Sequence, residues 1–354
     1  MLRVMLTTIA LSAAFLAAPI QDSGKDSKDA LETTPWAHYP GPADLPGAGH
    51  KVVLIAGDEE YRSEEALPML GSIMAKRHGF DCYVLFSTDP NSGEIDPMNQ
   101  VHIEGLELLD DADLVVIFTR FREWPDQQMK HFVKYVESGK PIIGIRTATH
   151  AFKYDRRTES PYARYSSFHE GWSGGFGRQV LGETWVNHHG GHGSQSTRGV
   201  VEPSSKKHPI LRGVTGAWGP TDVYGIRDLP KGATILLRGQ VLEGMTPESS
   251  PLKGTKNDPM MPIAWALETR LADAAKDGGD NIRRTVCSTL GASQDFASEG
   301  LRRLMINSAY WCLDLEHLIA EQSDVRFVTE YKPTAFGYGQ HLKGITPSSL
   351  SFTK

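Results

Sequence analysis

The alternation of apolar strands with helical stretches between residues 51 and 147 constrains the fold more than any other feature. The apolar segments at 51–57, 80–88, 113–120 and 141–147 predict strands, and the helical period is clearest after the first of them. Strands that are apolar on both faces are typical of a parallel sheet covered by helices. We therefore predict an α/β fold with a doubly wound, mostly parallel sheet flanked by helices. Its ligand site is expected at the carboxyl ends of the strands.

The regular pattern stops after residue 151. Residues 158–196 are rich in glycine, histidine and aromatic side chains and show no sustained period, so we predict a long His/Gly-rich insertion. Such insertions in compact domains are usually binding loops or lids. Short strands are then predicted at 199–202, 223–226, 234–238, 261–267 and 284–290, and a helix at 300–315.

The two ends of the chain differ in composition from the middle. A charged start followed by a short apolar run predicts a signal peptide over 1–20, and the polar, Pro/Gly-rich stretch after it predicts a disordered linker over 21–49. The main domain is expected over 50–320, with a tail over 321–354 that packs on it. These features predict a secreted or periplasmic protein without stable membrane insertion after cleavage of the signal.

Composition and charge restrict the class of partner. The chain has 354 residues, 40% of them hydrophobic, with a formal net charge of -6 and no long basic block. This balance indicates a globular protein and argues against a nucleic-acid partner. Cys82, Cys287 and Cys312 fall in predicted strands and a helix, and their spacing matches no zinc motif. We interpret them as buried thiols.

The fourth predicted strand ends in the sequence Gly144-Ile145-Arg146-Thr147-Ala148. In many α/β enzymes small residues around such a turn project a nucleophile above the carboxyl edge of the sheet. Arg146 cannot act as one, because guanidinium stays protonated and offers a planar fork of donors. We therefore predict that Arg146 orients an anion or a sugar hydroxyl at this turn.

Histidines concentrate between the turn and the end of the insertion. The segment 187–193 contains His188, His189 and His192, with His150 and His169 upstream. Imidazole titrates near neutral pH and is also a common metal ligand. His189 and His192 could transfer protons, bind substrate or close on one divalent ion. Purely structural roles are a further alternative, and the spacing is not that of a known metalloprotease motif.

Polar side chains elsewhere on the predicted edge are further candidates. They are Glu59 and Arg62 after the first strand, Asp222 and Tyr224 on a short predicted strand, and Gln294 and Asp295 after the last one. Four of them have a simpler interpretation: helix capping for Glu59, Arg62 and Asp295, and packing for Tyr224.

These segments together resemble the trehalose-utilisation (ThuA-like) family, which has a class I glutamine amidotransferase-like, flavodoxin-like fold. The resemblance covers about residues 51–315 and depends on the segments 57–62, 144–146, 187–192, 208–211, 222–224, 290–291 and 310–311. The chain departs from the family where related proteins often carry histidine, since it has Arg146 at the turn and Ala292 after the closing Leu-Gly. Because Arg146 also replaces the amidotransferase cysteine, glutamine hydrolysis is not expected.

The resemblance implies carbohydrate utilisation, with a glycoside or keto-sugar as substrate. We predict a sugar-processing hydrolase, lyase or isomerase in which His189 or His192 carries protons, Glu59 is the companion carboxylate and Arg146 orients the substrate. The remaining candidates would bind substrate: Arg62, His150, His169, His188, Asp222, Tyr224, Gln294 and Asp295. No cofactor is firmly indicated, and a divalent metal on His189 and His192 stays an open alternative. The alternative is a non-catalytic carbohydrate-binding protein, and a homodimer is an expectation from family size alone.

Overall fold

The computed structural model describes residues 34–271 and 282–352, so the predicted signal peptide lies outside the described residues. Ten strands form one sheet in the order β1-β3-β2-β4-β5-β10-β9-β8-β6-β7. In chain order they are Trp36–Tyr39 (β1), Lys51–Gly57 (β2), Asp81–Phe86 (β3), Leu114–Thr119 (β4), Ile142–Ile145 (β5), Thr197–Val201 (β6), Trp218–Gly219 (β7), Thr234–Val241 (β8), Met261–Arg270 (β9) and Ile282–Ser288 (β10). The helices are Ser63–His78 (α1), Asp126–Glu137 (α2) and Glu299–Cys312 (α3).

The α/β class is confirmed, but the prediction of a mostly parallel sheet is wrong. Strands β3, β2, β4, β5 and β10 are parallel neighbours. The other pairings are antiparallel: β1 with β3 at one edge, and β10-β9, β9-β8, β8-β6 and β6-β7 at the other. The helix-linked strands at the start of the chain could be recognised as parallel from their continuous apolar character. Between β6 and β9 the strands are joined by segments without an α-helix, a connection that antiparallel pairing allows.

Two apolar layers cover the parallel strands. The side chains of β2 divide alternately between these two layers, because successive side chains in a strand point to opposite faces. Val52, Leu54 and Ala56 pack with α1 and α3, whereas Val53 and Ile55 pack with α2 and part of the insertion. The parallel strands are thus buried on both faces, which leaves their carboxyl ends as the place where polar groups can gather.

The insertion contains little regular structure. Between Phe152 and Ser196 the structure has only short helical turns, at Ala163–Tyr165 and Gly177–Leu181. The strand predicted at 223–226 is also wrong, since this segment forms only an isolated bridge between Tyr224 and His188. Among the described residues, no helix has the length and apolar character needed to cross a membrane.

The segments on either side of the main domain pack against it. The linker prediction is wrong for residues 34–49, because β1 pairs with β3 and buries Ala37 and Tyr39. Pro/Gly-rich composition suggested a linker, but the apolar residues of β1 decide the structure here. At the other end, partly buried side chains of the tail contact the same core, among them Phe327, Val328, Tyr331, Phe336, Ile345, Leu350 and Phe352.

We expect Tyr39→Ala to lower the free energy of unfolding by about 3 to 5 kcal/mol, the usual cost of removing a large buried aromatic side chain. Tyr39 is 2% exposed and its ring meets that of Phe352 at 4.8 Å. The control is His38→Ala on the opposite face of β1, where a half-exposed pair with Asp81 predicts a loss below about 1 kcal/mol. Denaturant unfolding measures both. Equal, negligible effects would contradict the assignment of β1 to the sheet.

Candidate functional site

Four loops meet at the carboxyl edge of the parallel strands. They follow β2, β4, β5 and β10 and cover residues 58–62, 120–122, 146–150 and 289–295. Three residues in them have positive φ without being glycine: Arg62 at 60°, Phe121 at 52° and Arg146 at 46°. This backbone conformation costs roughly 1 kcal/mol or more, so packing must hold it in place. Such strain is typical of functional loops.

Arg146 is completely buried beneath this edge. Its Nη1 donates to the carbonyl oxygens of Thr289 at 2.7 Å and Asp222 at 3.0 Å, and its Nη2 donates to Asp222 Oδ1 at 3.0 Å. The rings of Tyr61 and Tyr224 lie 4.4 and 4.0 Å from the guanidinium carbon. Protein groups thus surround the guanidinium. The prediction that Arg146 orients substrate directly is wrong: it positions Asp222 instead.

Asp222 connects Arg146 to two histidines. Its Oδ2 accepts a hydrogen bond from His188 Nδ1 at 2.7 Å, and its Oδ1 accepts one from His192 Nδ1 at 3.2 Å. Burial by itself would raise the pKa of Asp222, but the hydrogen bond from His188 and the charge of Arg146 lower that pKa to about 2. Asp222 is therefore a carboxylate at neutral pH, and it has no proton to donate to either imidazole.

His188 and His192 present the rest of their rings to solvent. Each side chain is 38% exposed, and the two ring centroids are 4.8 Å apart. One ligand atom from each of His188, His192 and Asp222 lies within 4.8 Å of the others, so the three residues could hold a metal ion. Two nitrogen donors and one oxygen donor suit zinc and similar divalent metals.

Glu60 lies on the far side of His192 and was missed by the sequence analysis. Its Oε1 is 3.4 Å from His192 Nε2, while its Oε2 accepts a hydrogen bond from the Tyr338 hydroxyl at 2.8 Å. The backbone N–H of Gly337 donates to the Glu60 carbonyl at 2.7 Å, and the ring of Phe336 meets His192 at 5.4 Å. The C-terminal tail therefore contributes to the site, which its sequence gave no means of predicting.

Asp58 is a second residue that the sequence analysis missed. Its Oδ1 accepts the backbone N–H groups of Glu60 at 2.7 Å and Tyr61 at 2.6 Å, and its Oδ2 accepts the hydroxyl of Thr147. Asp58 thus connects the turn after β2 to the turn after β5. The sequence feature that could have identified Asp58 is its position directly after an apolar strand.

Two predicted catalytic residues are engaged elsewhere. Both carboxylate oxygens of Glu59 form ion pairs, Oε1 with Arg120 at 2.5 Å and Oε2 with Arg122. His189 Nε2 bonds to the carbonyl oxygen of Lys256 at 2.8 Å, outside the group formed by His188, His192 and Asp222. The structure therefore brings Glu60 and His188 together with His192, where the sequence suggested Glu59 and His189.

The other predicted binding residues support the loops. His150 is 3% exposed, and burial together with the charges of Arg120 and Arg146 holds its pKa well below the usual value, so its ring is neutral. Tyr224 lies 5.7 Å from the His188 ring. Arg62 is buried and donates from Nε to Thr334. Asp295 is buried and accepts from Thr221, Gly291 and Ala292, with half-buried Gln294 beside it in the chain. His169 Nδ1 accepts from the backbone N–H of Trp172.

Residues 51–312 match the family model described as ThuA, trehalose utilisation. The chain belongs to the ThuA family. This assignment confirms the predicted resemblance and gives the chain a carbohydrate-related function. No protein with a curated description matches the sequence.

Two solved ThuA-like proteins are similar to the chain. One, from Parabacteroides merdae, is 14% identical with a TM-score of 0.45 and covers 82% of this chain and 97% of its own. The other, from Bacteroides uniformis, is 15% identical with a TM-score of 0.46 and covers 77% of this chain and 94% of its own.

The depressed pKa of Asp222 predicts how stability changes in acid. A carboxyl whose pKa is lower in the folded state stabilises the protein above its unfolded pKa, and this contribution is lost as the pH falls. For Asp222 the loss is about 2 kcal/mol between pH 5 and 2. Asp222→Asn should therefore lose less stability than the wild type over this interval, measured by denaturant unfolding at each pH.

Asp295→Asn provides the contrast, because burial raises the pKa of Asp295 despite the nearby charge of Arg146. Protonation of Asp295 favours the folded state, so its removal should make the loss of stability in acid larger. If the free energy of unfolding changed with pH in the same way in both variants, the ionised state of Asp222 described above would be contradicted.

Proposed function

We propose that this ThuA-family protein is a carbohydrate-processing enzyme that performs acid–base chemistry on a glycoside or keto-sugar. The observation that carries the proposal is the hydrogen bonding of His188 Nδ1 and His192 Nδ1 to one ionised carboxylate, Asp222. A carboxylate held on one nitrogen of an imidazole fixes its tautomer and orientation and stabilises the imidazolium formed in a reaction. Here one carboxylate serves two imidazoles.

His188 is suited to the role of general base. Because Asp222 accepts at Nδ1, the proton of neutral His188 is on Nδ1 and its Nε2 carries a lone pair. The ring is partly exposed and lies 5.6 Å from Trp185 and 5.7 Å from Tyr224. Its Nε2 can accept a proton from water or from a carbon atom next to a sugar carbonyl.

His192 and Glu60 are suited to the role of general acid. The same reasoning leaves a lone pair on Nε2 of neutral His192, yet this atom faces Glu60 Oε1 at 3.4 Å. A proton shared between these two atoms would make the pair a general acid. That proton can be delivered to a glycosidic or carbonyl oxygen.

The adjacent base and acid fit both hydrolysis and isomerisation. In hydrolysis, His188 would take a proton from water while the His192–Glu60 pair protonates the leaving oxygen. In isomerisation, His188 would take the proton from carbon while the pair protonates the carbonyl oxygen, which gives an enediol. His188 would then return the proton to the neighbouring carbon while the pair takes one from the other hydroxyl. Each well-positioned proton transfer typically contributes roughly 10²- to 10⁴-fold in rate.

A divalent metal is compatible with the same residues. His188, His192 and Asp222 would hold it, and it would polarise a carbonyl or lower the pKa of a bound water. Binding would replace the hydrogen bonds from the two Nδ1 atoms to Asp222, because ligand atoms must be free of protons. The sequence suggested His189 in this role, but its bond to the Lys256 carbonyl favours His188.

We expect His188→Ala and His192→Ala each to reduce turnover by roughly 10²-fold or more, since each removes a proton carrier. His189→Ala is the matched control, because its imidazole is on the same loop but bonds to Lys256. The assay is mass-spectrometric product detection with a panel of disaccharides and their keto derivatives. Wild-type turnover in the His192 variant, or an equal loss in the His189 variant, would contradict the assignment.

A carbohydrate-binding protein without activity is the second candidate. The observation that favours it is Arg146, a buried cation at the position where related folds present a nucleophile. This candidate predicts saturable sugar binding without product throughout the panel. Detection of any product that depends on His188 would eliminate it.

The metal can be tested without a substrate. Zinc titrated into metal-free protein should bind with one equivalent, and His188→Ala, His192→Ala and Asp222→Asn should each weaken it at least tenfold, as expected on removing a ligand. His189→Ala should bind as the wild type does. Equal zinc binding by all five proteins would remove the metal from the proposal and leave the acid–base pair.

We also propose that the protein is exported to the periplasm or secreted. The charged start and apolar run of residues 1–20 support this. Mass spectrometry of the N-terminus in fractionated cells distinguishes a processed, exported protein from one that retains its first residues.

A further inference from the structure

A row of aromatic rings and a cation extends from Glu60 along the carboxyl edge of the sheet. The guanidinium carbon of Arg120 lies 5.5 Å from the ring centroid of Tyr338 and 4.5 Å from that of Phe121. Phe121 in turn meets Phe168 at 6.0 Å. We call Tyr338, Arg120, Phe121 and Phe168 the aromatic row. It begins at the site, because the Tyr338 hydroxyl donates to Glu60.

The row exposes a large apolar area. Tyr338 is 52% exposed and Phe168 is 58% exposed. Two large rings exposed in one row mark a binding surface more strongly than single apolar residues do.

The row is also held rigidly. Phe121 has a φ of 52°, a conformation that is unfavourable for a large side chain. Backbone bonds hold it there: Phe121 N–H donates to the His150 carbonyl at 3.0 Å, and Arg122 N–H donates to the Ala151 carbonyl at 2.6 Å. Arg120 is fixed by its ion pair with Glu59 at 2.5 Å. A surface that is ordered before binding loses less conformational entropy when a ligand binds.

The charges of the row favour a neutral ligand. Arg120 is paired with Glu59 and has Glu60 Oε2 3.7 Å from its Nε. Lys153, whose Nζ lies 6.0 Å from the rings of Phe121 and Phe168, is paired with Asp155 at 2.5 Å. With both cations compensated, a phosphate or carboxylate gains little here. Their remaining N–H groups can still donate to neutral hydroxyls.

We propose that the aromatic row is a second sugar subsite, which binds the ring of a disaccharide that does not react at His188 and His192. The C–H face of a pyranose would pack on Tyr338, Phe121 and Phe168, and its hydroxyls would accept from Arg120 and Lys153. The inference rests on the proposed carbohydrate function and deepens it, since it makes a disaccharide or larger glycoside the preferred ligand over a monosaccharide.

Calorimetric titration of the full-length protein with trehalose, maltose and sucrose, each against glucose, tests the proposal. Phe168→Ala removes only an exposed ring and should weaken binding of the preferred disaccharide about three- to tenfold, as expected for one aromatic contact, while binding of glucose is unchanged. Leu342→Ala is the control, because this side chain is 61% exposed and outside the row. It should change neither affinity.

Two substitutions of Tyr338 distinguish the contribution of its ring from that of its hydroxyl. Tyr338→Phe keeps the ring and loses the bond to Glu60, so disaccharide affinity should be kept while turnover falls. Tyr338→Ala should lose affinity as Phe168→Ala does. The subsite is overturned if the substitutions weaken glucose binding as much as disaccharide binding, or if Phe168→Ala keeps the wild-type disaccharide affinity. It is also overturned if the wild type binds no disaccharide.

The outcomes separate this proposal from the proposed reaction. Turnover that depends on His188, with affinity unchanged in Phe168→Ala, keeps the enzyme and overturns the subsite. Disaccharide binding that depends on Phe168, without product from the wild type, keeps the subsite and overturns the enzyme.

Discussion

The buried ion pair between Arg146 and Asp222 is the interaction on which the site depends. Arg146 comes from the end of β5 in the parallel half of the sheet, and Asp222 comes from the loop after β7 at the opposite edge of the antiparallel half. Burying two charges is costly unless hydrogen bonds and close geometry compensate. Here three hydrogen bonds from one guanidinium and two flanking tyrosine rings do so. The pair thereby fixes the position of the histidine loop relative to the parallel strands.

This arrangement puts a buried arginine where many α/β enzymes present a nucleophile. The strained turn after β5 is kept, with a φ of 46° at Arg146, but its side chain points into protein and carries a permanent positive charge. That charge helps keep Asp222 ionised, and an ionised Asp222 fixes the tautomers of His188 and His192. A position that supplies a nucleophile in other α/β folds thus supplies electrostatic support to Asp222 here.

The tail adds a second layer to the site. Residues 336–338 lie beyond the part of the chain that matches the ThuA family, yet they contact His192 and Glu60. Thr334 is held by Glu65 of α1, and Tyr331 donates to the carbonyl oxygen of Ser293, so the tail is attached both to α1 and to the loop after β10.

The sequence by itself determined the α/β class, the parallel strands at its start, the family and the edge at which polar groups gather. These follow from local periodicity and from residues close together in the chain. It also singled out Arg146, His192 and Asp222. Only the tertiary structure decided that Arg146 is buried, that Glu60 and His188 lie beside His192 where Glu59 and His189 were expected, and that Tyr338 reaches Glu60. Adjacent residues in a loop have the same composition and spacing, and which of them faces the cleft is set by contacts with segments as distant as the tail.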